Sequence, residues 1–377
     1  MLDDLKVLEL ASVLAGPSVG QFFAELGAEV IKIENPKIGG DVTRLWKTPD
    51  EPTDDRSVYF CSCNWGKKSV ALDLTNKKDL EIVKKLAAKS DIVIASYKPG
   101  DAEKLGVSYQ QLKANNEQLI YGQITGYGSD DERVGYDAVI QAEAGFMDLN
   151  GEKDGHATKM PVALIDVLAA HQLKEGLLLA LLKRAKTNEG NFVEVSLVQT
   201  AVSSLANQAT NWLVGKKLPH RQGSAHPNIA PYGDSFVTQD SKRILLAVGS
   251  DKQFAELIQI LGIGHDVVGN EFAKNQQRVA HRRELNKLLT EKIMNIQSSV
   301  LIKQLRARKI PAGFIQNLKE VFELPQAVET LLNKGGLQGV RNYIGKNTEG
   351  WRDSGLLPPP HLGEHTEEVV REFDILQ

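Results

Sequence analysis

The chain has 377 residues, more than one hydrophobic core usually serves, so two domains, or one domain with a large insertion, are expected. Hydrophobic residues at 42% and charged residues at 25% match an ordinary soluble protein, and no stretch reaches the roughly 20 apolar residues of a membrane span. A net charge of −3, with basic residues spread through the chain, excludes the one-sided basic surface of a nucleic-acid binder and makes any phosphate site local.

Met1 to Leu10 carries three acids among apolar residues and lacks the basic, apolar, small-residue order of a signal peptide, so a cytoplasmic location is expected. Lys6 to Leu10 reads as a buried strand. Ala15-Gly16-Pro17-Ser18 and the apolar run Val19 to Leu26 follow as a helix that Gly27 can end, and Val30 to Glu34 is the next strand. Strand, helix and strand at this spacing form a βαβ unit, whose right-handed crossover makes the strands parallel: a Rossmann-like opening. The glycine pattern that cradles a dinucleotide pyrophosphate is missing from Ala15 to Gly20, which disfavours a nicotinamide or flavin site. Cys61 and Cys63 would share one strand face, a spacing that suits neither a zinc pair nor an easy disulfide, so reduced thiols are expected.

Ser69 to Asp73, Asp91 to Ala95 and Leu119 to Ile124 read as further strands, with an amphipathic helix from Asn76 to Lys89. Their alternation predicts a mostly parallel sheet covered by helices on both faces. Pro161 to Ile165 looks like a strand, and Asp166 to Arg184 a helix apolar on nearly every side and therefore buried. Val193 to Val195 reads as a short strand, Leu197 to Val214 as a long helix and Gly215 to Pro219 as an exit linker. The texture then changes to a hairpin, Asp234 to Val237 and Ile244 to Val248, with helices near Lys252 to Leu261, Arg278 to Ile293 and Ser299 to Arg308. This stretch is read as the smaller, α+β domain. An apolar helix from Ala327 to Leu332 and a helix start at Thr366 complete the chain.

Asp166 stands between the expected strand and the helix, where it can be a plain N-cap that the helix dipole keeps anionic. In a mostly apolar cleft the same carboxylate can be a nucleophile toward a thioester carbonyl. Gly122 to Gly128, at a strand's carboxyl end, is either a ligand loop or a flexible turn. Asp137, after Gly135 and Tyr136, opens a helix from Ala138 to Met147 and is a cap or a catalytic group. Lys37, Arg44, Lys67, Lys68, Lys98 and Lys104 lie near strand ends or in loops, as anion ligands or as solvated surface charges. His156, His171, His220 and His226 show no two-ligand helical spacing, so no metal site is expected. A G-x-S-x-G elbow is missing, and neither cysteine carries a thiol-enzyme signature.

Together these segments resemble the family III CoA-transferases, a group that includes formyl-CoA transferase, carnitine CoA-transferase and the related alpha-methylacyl-CoA racemase. The likeness covers nearly the whole chain. It runs through Leu5 to Leu10 with Ala15-Gly-Pro17, Leu26 to Glu34 leading to Gly40-Asp41 and Thr43-Arg44, and Asn64 to Asp73. It continues in Lys98-Pro-Gly100 with Leu105-Gly106, Gly126-Tyr-Gly128, and Gly135-Tyr-Asp137 with Gln141 and Gly145. Pro161 to Asp166, His226 to Gly233 and Leu362 to Thr366 complete it. Each motif is weak alone; their order and spacing are specific.

The resemblance implies an α/β fold with a large Rossmann-like CoA-binding domain, residues 1–215 plus 326–377, and a smaller domain, 216–325, in two subunits interlocked like chain links. It implies CoA transfer from an acyl-CoA donor to a free carboxylic acid, with Asp166 as nucleophile forming an aspartyl-CoA thioester and Asp137 as a second catalytic group. Coenzyme A then enters only as a substrate moiety, with no permanently bound cofactor and no metal. Its contacts, carried over by position, are Leu14, Ala15, Lys37, Leu72, Asp73, Leu74, Thr75, Ser96, Tyr97, Lys98, Lys104, Val134, Gly135 and Tyr136. Lys37 and Lys104 replace arginines of some relatives, which keeps the charge and loses the bidentate fork. Val134 and Thr75 stand where formyl-CoA transferase has lysines, and Arg221 to Ala225 lacks the second glycine-rich loop of some transferases. The racemase branch has histidine where Tyr136 stands, and a tyrosine with an ordinary pKa of about 10 is a poor base at neutral pH, which favours transfer. Two rival readings are an acyl-CoA racemase or epimerase, marked by α-carbon deuterium exchange without an acceptor, and a non-catalytic acyl-CoA-binding protein, marked by binding without an adduct.

Overall fold

The computed structural model describes residues 2–264, 269–345 and 356–374. Residues 346–355 and 375–377 of the expected larger domain lie outside that set. Six short apolar strands build the central sheet: β1 (Lys6–Glu9), β2 (Glu29–Glu34), β3 (Lys67–Ala71), β4 (Ile92–Ala95), β5 (Ile120–Thr125) and β6 (Asn191–Ser196). All pairings are parallel, in the order β3-β2-β1-β4-β5-β6. Leu8, Ile92, Val93 and Ile94 have no exposed surface, as strands covered on both faces require. The chain winds outward from β1 in both directions, so the switch point lies between β1 and β4. At such a point the loops leaving the carboxyl ends part and open a crevice.

Two compact units divide the chain: residues 1–144, 160–206 and 328–377, and residues 145–159 and 207–327. Residues 145–159, 207–215 and 326–327, expected in the larger domain, therefore belong to the smaller unit. That unit contains a three-stranded antiparallel sheet, β7 (Tyr232–Val237), β8 (Arg243–Ala247) and β9 (Ala312–Phe314), packed on helices through Phe236, Leu246, Leu257, Leu289 and Leu305. The hairpin matches the sequence reading; β9 has only three residues, too few for a periodic signal.

Several local expectations fail for identifiable reasons. Pro161 to Ile165 is not a strand: the long helix already begins at Leu164 and ends at Thr187. Its buried stripe comprises Ile165, Asp166, Ala169, Ala170, Leu173, Lys174, Leu177 and Ala180, whereas Leu179 and Leu182 are exposed, so the helix is not covered on every side. The expected helix from Leu197 to Val214 is two, Leu197–Ser203 and Ala206–Leu213, broken where Ala206 takes a positive φ. Gly145, also at positive φ, separates Asp137–Glu143 from Phe146–Leu149 in the same way. Of the expected helix from Ala327 to Leu332 only the start is helical, in the short turn Pro325–Val328; Leu331 and Leu332 instead enter β10 (Leu331–Lys334), which Gly335 and Gly336 at positive φ turn into a hairpin with β11 (Leu337–Val340). Cys61 ends a short helix and Cys63 follows it in a turn; both are buried free thiols, with no shared strand face.

The least predictable core feature is ionic. Glu9, Lys32, Glu34, Asp41, Arg44 and Lys67 are all no more than 4% exposed. Lys32 Nζ lies 3.0 Å from Glu9 and 2.9 Å from Asp41, and Lys67 Nζ lies 2.8 Å from Glu9. Arg44 forks onto Glu34 with both contacts at 2.7 Å and stacks on Phe60. Three acids face three bases, so the set is neutral as a whole, the condition under which buried charge is tolerated. Lys67 and Arg44 are thus neither ligand cations nor surface charges. The helix Ala15–Glu25 fits over this set because it presents glycines. A Cβ at Gly16 would stand 2.3 Å from the Ala11 Cβ, and one at Gly20 only 1.8 Å from Glu9 Oε2.

Gly20→Ala is therefore expected to drive Glu9 off its lysines and to destabilise the fold by about 3 kcal/mol or more, the scale for overpacking combined with a broken buried pair. Urea unfolding followed by tryptophan fluorescence measures it; a loss below about 1 kcal/mol would contradict the packing account.

Candidate active site

The loops at the switch point enclose a cavity of about 310 Å³ in the larger unit. Ser12 to Gly16 follow β1, Ser96 to Pro99 leave β4, and Ile124 to Gly126 span the end of β5. Arg133 to Asp137 and the buried side chain of Asp166 close the remaining wall. Gly126 and Gly135 allow this closure, since a Cβ on either would meet the other's Cα at 2.6 Å or less.

Asp166 is the third residue of its helix and not the cap. The cap position is Ala163, which offers no side-chain acceptor. Asp137 does that work from a neighbouring helix: its Oδ1 accepts from Ile165 N at 2.7 Å and from Asp166 N at 3.4 Å, while Gln141 Nε2 donates to Oδ2 at 2.6 Å. Sequence reasoning had a cap in Asp137, yet it caps a helix 28 residues away from itself rather than its own. With the cap supplied by another carboxylate, Asp166 is left turned to the cavity. Burial pushes its carboxyl up to about 7, and the nearby charge of Asp137 adds to that push. The expectation that the helix terminus keeps this group a firm anion is corrected: near neutrality it is poised between its two forms.

Of the carried-over ligand positions, Leu14, Ala15, Ser96, Tyr97, Lys98, Val134, Gly135 and Tyr136 line this same cavity. Leu72, Asp73, Leu74 and Thr75 line a second one of about 220 Å³, which shares Ser12 and Tyr97 with the first. Asp73 is held by Thr75 N and Oγ1 and by Lys37, whose Nζ lies 2.6 Å away. That lysine is exposed and keeps its charge near the second cavity. Lys104 lines neither cavity and pairs with Asp101 on the surface.

The sequence reading missed Val13 and Arg133, both in the cavity wall. Tyr59 was missed too: burial pushes its phenol up to about 12, with the charge of Asp166 the next cause. Asp54, Asp55 and His361 form one exposed cluster with metal-like spacing among the described residues, far from any expectation, and Arg44, Arg56 and Leu362 N already occupy the two aspartates.

An open, doubly wound α/β sheet with a reactive carboxyl group at its switch point defines an enzyme that works on a ligand laid across the strand ends. The model of CoA-transferase family III matches residues 2–366, and the chain belongs to that family. It is 35% identical to a succinate–glutarate CoA-transferase of Agrobacterium fabrum, over 100% of this chain and 96% of that protein. It is 33% identical to the human succinyl-CoA:glutarate CoA-transferase, over 98% of this chain and 85% of that one. Among solved structures, a CAIB/BAIF family protein from Brucella suis superposes with a TM-score of 0.86 at 39% identity, covering 99% of both chains. This protein is accordingly a CoA-transferase. Among the described residues, no helix is long and apolar enough to cross a membrane.

The raised Asp166 value has a consequence for stability. An ordinary aspartate titrates near 3.8 and this one near 7, so the fold prefers the neutral form and ionisation weakens it. The penalty is absent below the unfolded value, grows between the two and is complete above the folded one. Asp166→Asn is expected to be more stable than the parent by roughly 2 to 4 kcal/mol at pH 8, with the gap closing toward pH 4. Chemical denaturation at both pH values tests this, and an equal gap at the two would show that the carboxyl titrates normally.

Proposed function

We propose that the enzyme carries CoA from an acyl-CoA to a free dicarboxylic acid through a covalent thioester on Asp166. The carrying observation is this carboxyl group, buried, without an ion pair among the described residues, and facing the cavity at the switch point. Coenzyme A would lie across both cavities, over the wall they share at Ser12 and Tyr97, with its thioester beside Asp166 and with Lys37 and Lys98 near its anionic groups.

Asp166 Oδ attacks the thioester carbonyl, the C–S bond breaks, and CoA thiolate leaves a mixed acyl-aspartyl anhydride. The thiolate attacks the aspartyl carbonyl, expelling the donor acid and leaving aspartyl-CoA. An acceptor carboxylate then attacks that carbonyl and releases thiolate, giving a second anhydride. Thiolate attack on the acceptor's acyl carbon delivers the new acyl-CoA and returns the Asp166 carboxylate. No step consumes a proton or an electron, so neither a metal nor a redox cofactor is called for. Asp137 acts by holding the helix start with its two N–H bonds and by keeping Asp166 basic. Succinyl-CoA and glutarate form the first pair to try, because the named relatives act on them at 33–35% identity.

Asp166→Asn is expected to lower turnover by at least about a thousandfold. The parent, given acyl-CoA alone, should gain the mass of CoA on the peptide that holds Asp166, and its rate should rise with pH to a plateau above about 7 as the nucleophile ionises. An active Asp166→Asn enzyme, or an adduct on another peptide, would overturn the assignment.

We also propose the interlocked homodimer. Leu179 and Leu182 in the larger unit are at least half exposed, and so, by themselves, are Trp212, Leu213 and Val214 in the smaller; each is apolar surface that a second copy can cover. Sedimentation equilibrium should give twice the 41.4 kDa chain mass, and a monomer would refute it.

A further inference from the structure

The turn after β1 carries a strain that the family reaction, read as above, does not by itself explain. Val13 has φ of +76°, in the left-handed region that a β-branched residue rarely enters. It is held there from both sides. Its N–H donates to both carboxylate oxygens of Asp41 at 3.3 Å, and its carbonyl accepts from Cys63 Sγ at 3.5 Å. Asp41 is itself fixed by Lys32 Nζ at 2.9 Å and by the amide and hydroxyl of Thr43 at 3.0 and 2.8 Å. Its 4% exposure leaves it no solvent to turn to. On the other side of this clamp, Ser12 to Gly16 form the cavity wall that faces Asp166. Asp41 lines the second cavity and not this one, so its reach toward the bond being broken runs through Val13.

We propose that Asp41 is a positioning residue for CoA transfer: anchored by Lys32, it holds Val13 in its unfavourable conformation and so aims the Ser12–Gly16 wall at the bond being broken. The inference rests on the reading of Asp166 as nucleophile. A wall displaced by about 1 Å is enough to slow a positioned reaction by up to a hundredfold, without much change in how the bulk of the substrate is held. The clamp consists of backbone conformation and charge, so it predicts a specific rescue. Glycine at position 13 adopts positive φ without steric cost, so the turn reaches that conformation with far less help from the clamp.

The test follows the rate at which CoA mass appears on the Asp166 peptide, with succinyl-CoA alone, in the full-length protein. Asp41→Asn and Asp41→Glu are each expected to slow this step about tenfold or more, with the half-saturating succinyl-CoA concentration changed less than about threefold. Adding Val13→Gly to Asp41→Asn is expected to recover most of the lost rate; a role confined to pairing Lys32 would leave the loss in place. Should Asp41→Asn fail to fold, Asp41→Glu decides, since it keeps a carboxylate for Lys32 while moving it away from Val13 N. Adduct formation at the parent rate in Asp41→Glu, or a loss that Val13→Gly does not relieve, overturns the positioning role and leaves Asp166 as nucleophile. A parent that forms no adduct overturns both.

Discussion

Six buried charges tie β1, β2 and β3 to one another and to the loop beyond β2. Glu9 lies in β1, Lys32 and Glu34 in β2 and Lys67 in β3, while Asp41 and Arg44 belong to the loop beyond β2. Burial alone works against the charge of Lys32, but Asp41, Glu9 and Glu34 override it and hold the amine protonated. Lys67, with burial and the neighbouring Lys32 against it, is pushed the other way. Such a set adds little to stability compared with a well-packed apolar core, yet removing any one member strands its partners without water. Its effect is specificity. A loop tied by ionic contacts on several sides has one low-energy position, and from here Lys32, Lys67 and Asp41 also bond to Ala11 O, Pro17 O and Val13 N, in and beside the wall of the reaction cavity.

A second constraint acts at the start of the Leu164–Thr187 helix, where one carboxylate serves another. Asp137 supplies the acceptor that Ala163 cannot, which frees Asp166 from backbone duty and turns it toward the ligand space. The same charge lies close enough to raise the Asp166 value beyond what burial does. Structure and reactivity therefore share a cause, and the cost appears as a helix terminus less stable when both groups are ionised. Strain of this kind at a site, compensated elsewhere in the fold, is the usual trade between stability and activity.

How much of this could be read in the sequence depends on whether the signal was local. The βαβ opening was legible, since Lys6 to Leu10 and Val30 to Glu34 are apolar runs flanked by turn residues, and the parallel sheet followed from alternation. The start of the long helix was not: Pro161-Val-Ala-Leu-Ile165 has strand-like composition, and only the acceptor from Asp137 lets the helix begin at Leu164. Asp166 and Asp137 were found as candidates, each as a cap or a catalytic group, but that Asp137 caps the helix of Asp166 was not legible, because a cap supplied across 28 residues leaves no spacing to detect. Arg44 and Lys67 read as surface or ligand charges because one residue cannot announce that its counterion is buried beside it. Lys32 did carry a sign of burial, a lone base inside Val30-Ile-Lys-Ile-Glu34, a strand otherwise too apolar to face water. Val13 carried none, since its conformation is imposed by Asp41 and Cys63 from distant parts of the chain.

The raised carboxyl also bears on why an aspartate suits exchange with a thiol. An ordinary carboxylate, near 3.8, is a much weaker base than a thiolate near about 8.5, so an acyl group on its oxygen would be far more labile than on sulfur. Lifting Asp166 to about 7 narrows that gap. On the proposed route the anhydride and thioester states then lie closer in free energy, and neither becomes a trap or an inaccessible summit. The rise has an upper bound, because a carboxyl pushed well beyond neutrality would be protonated and inert as a nucleophile. A value near the working pH keeps a useful fraction ionised while strengthening each ionised group, which is the balance that burial and one neighbouring charge produce here.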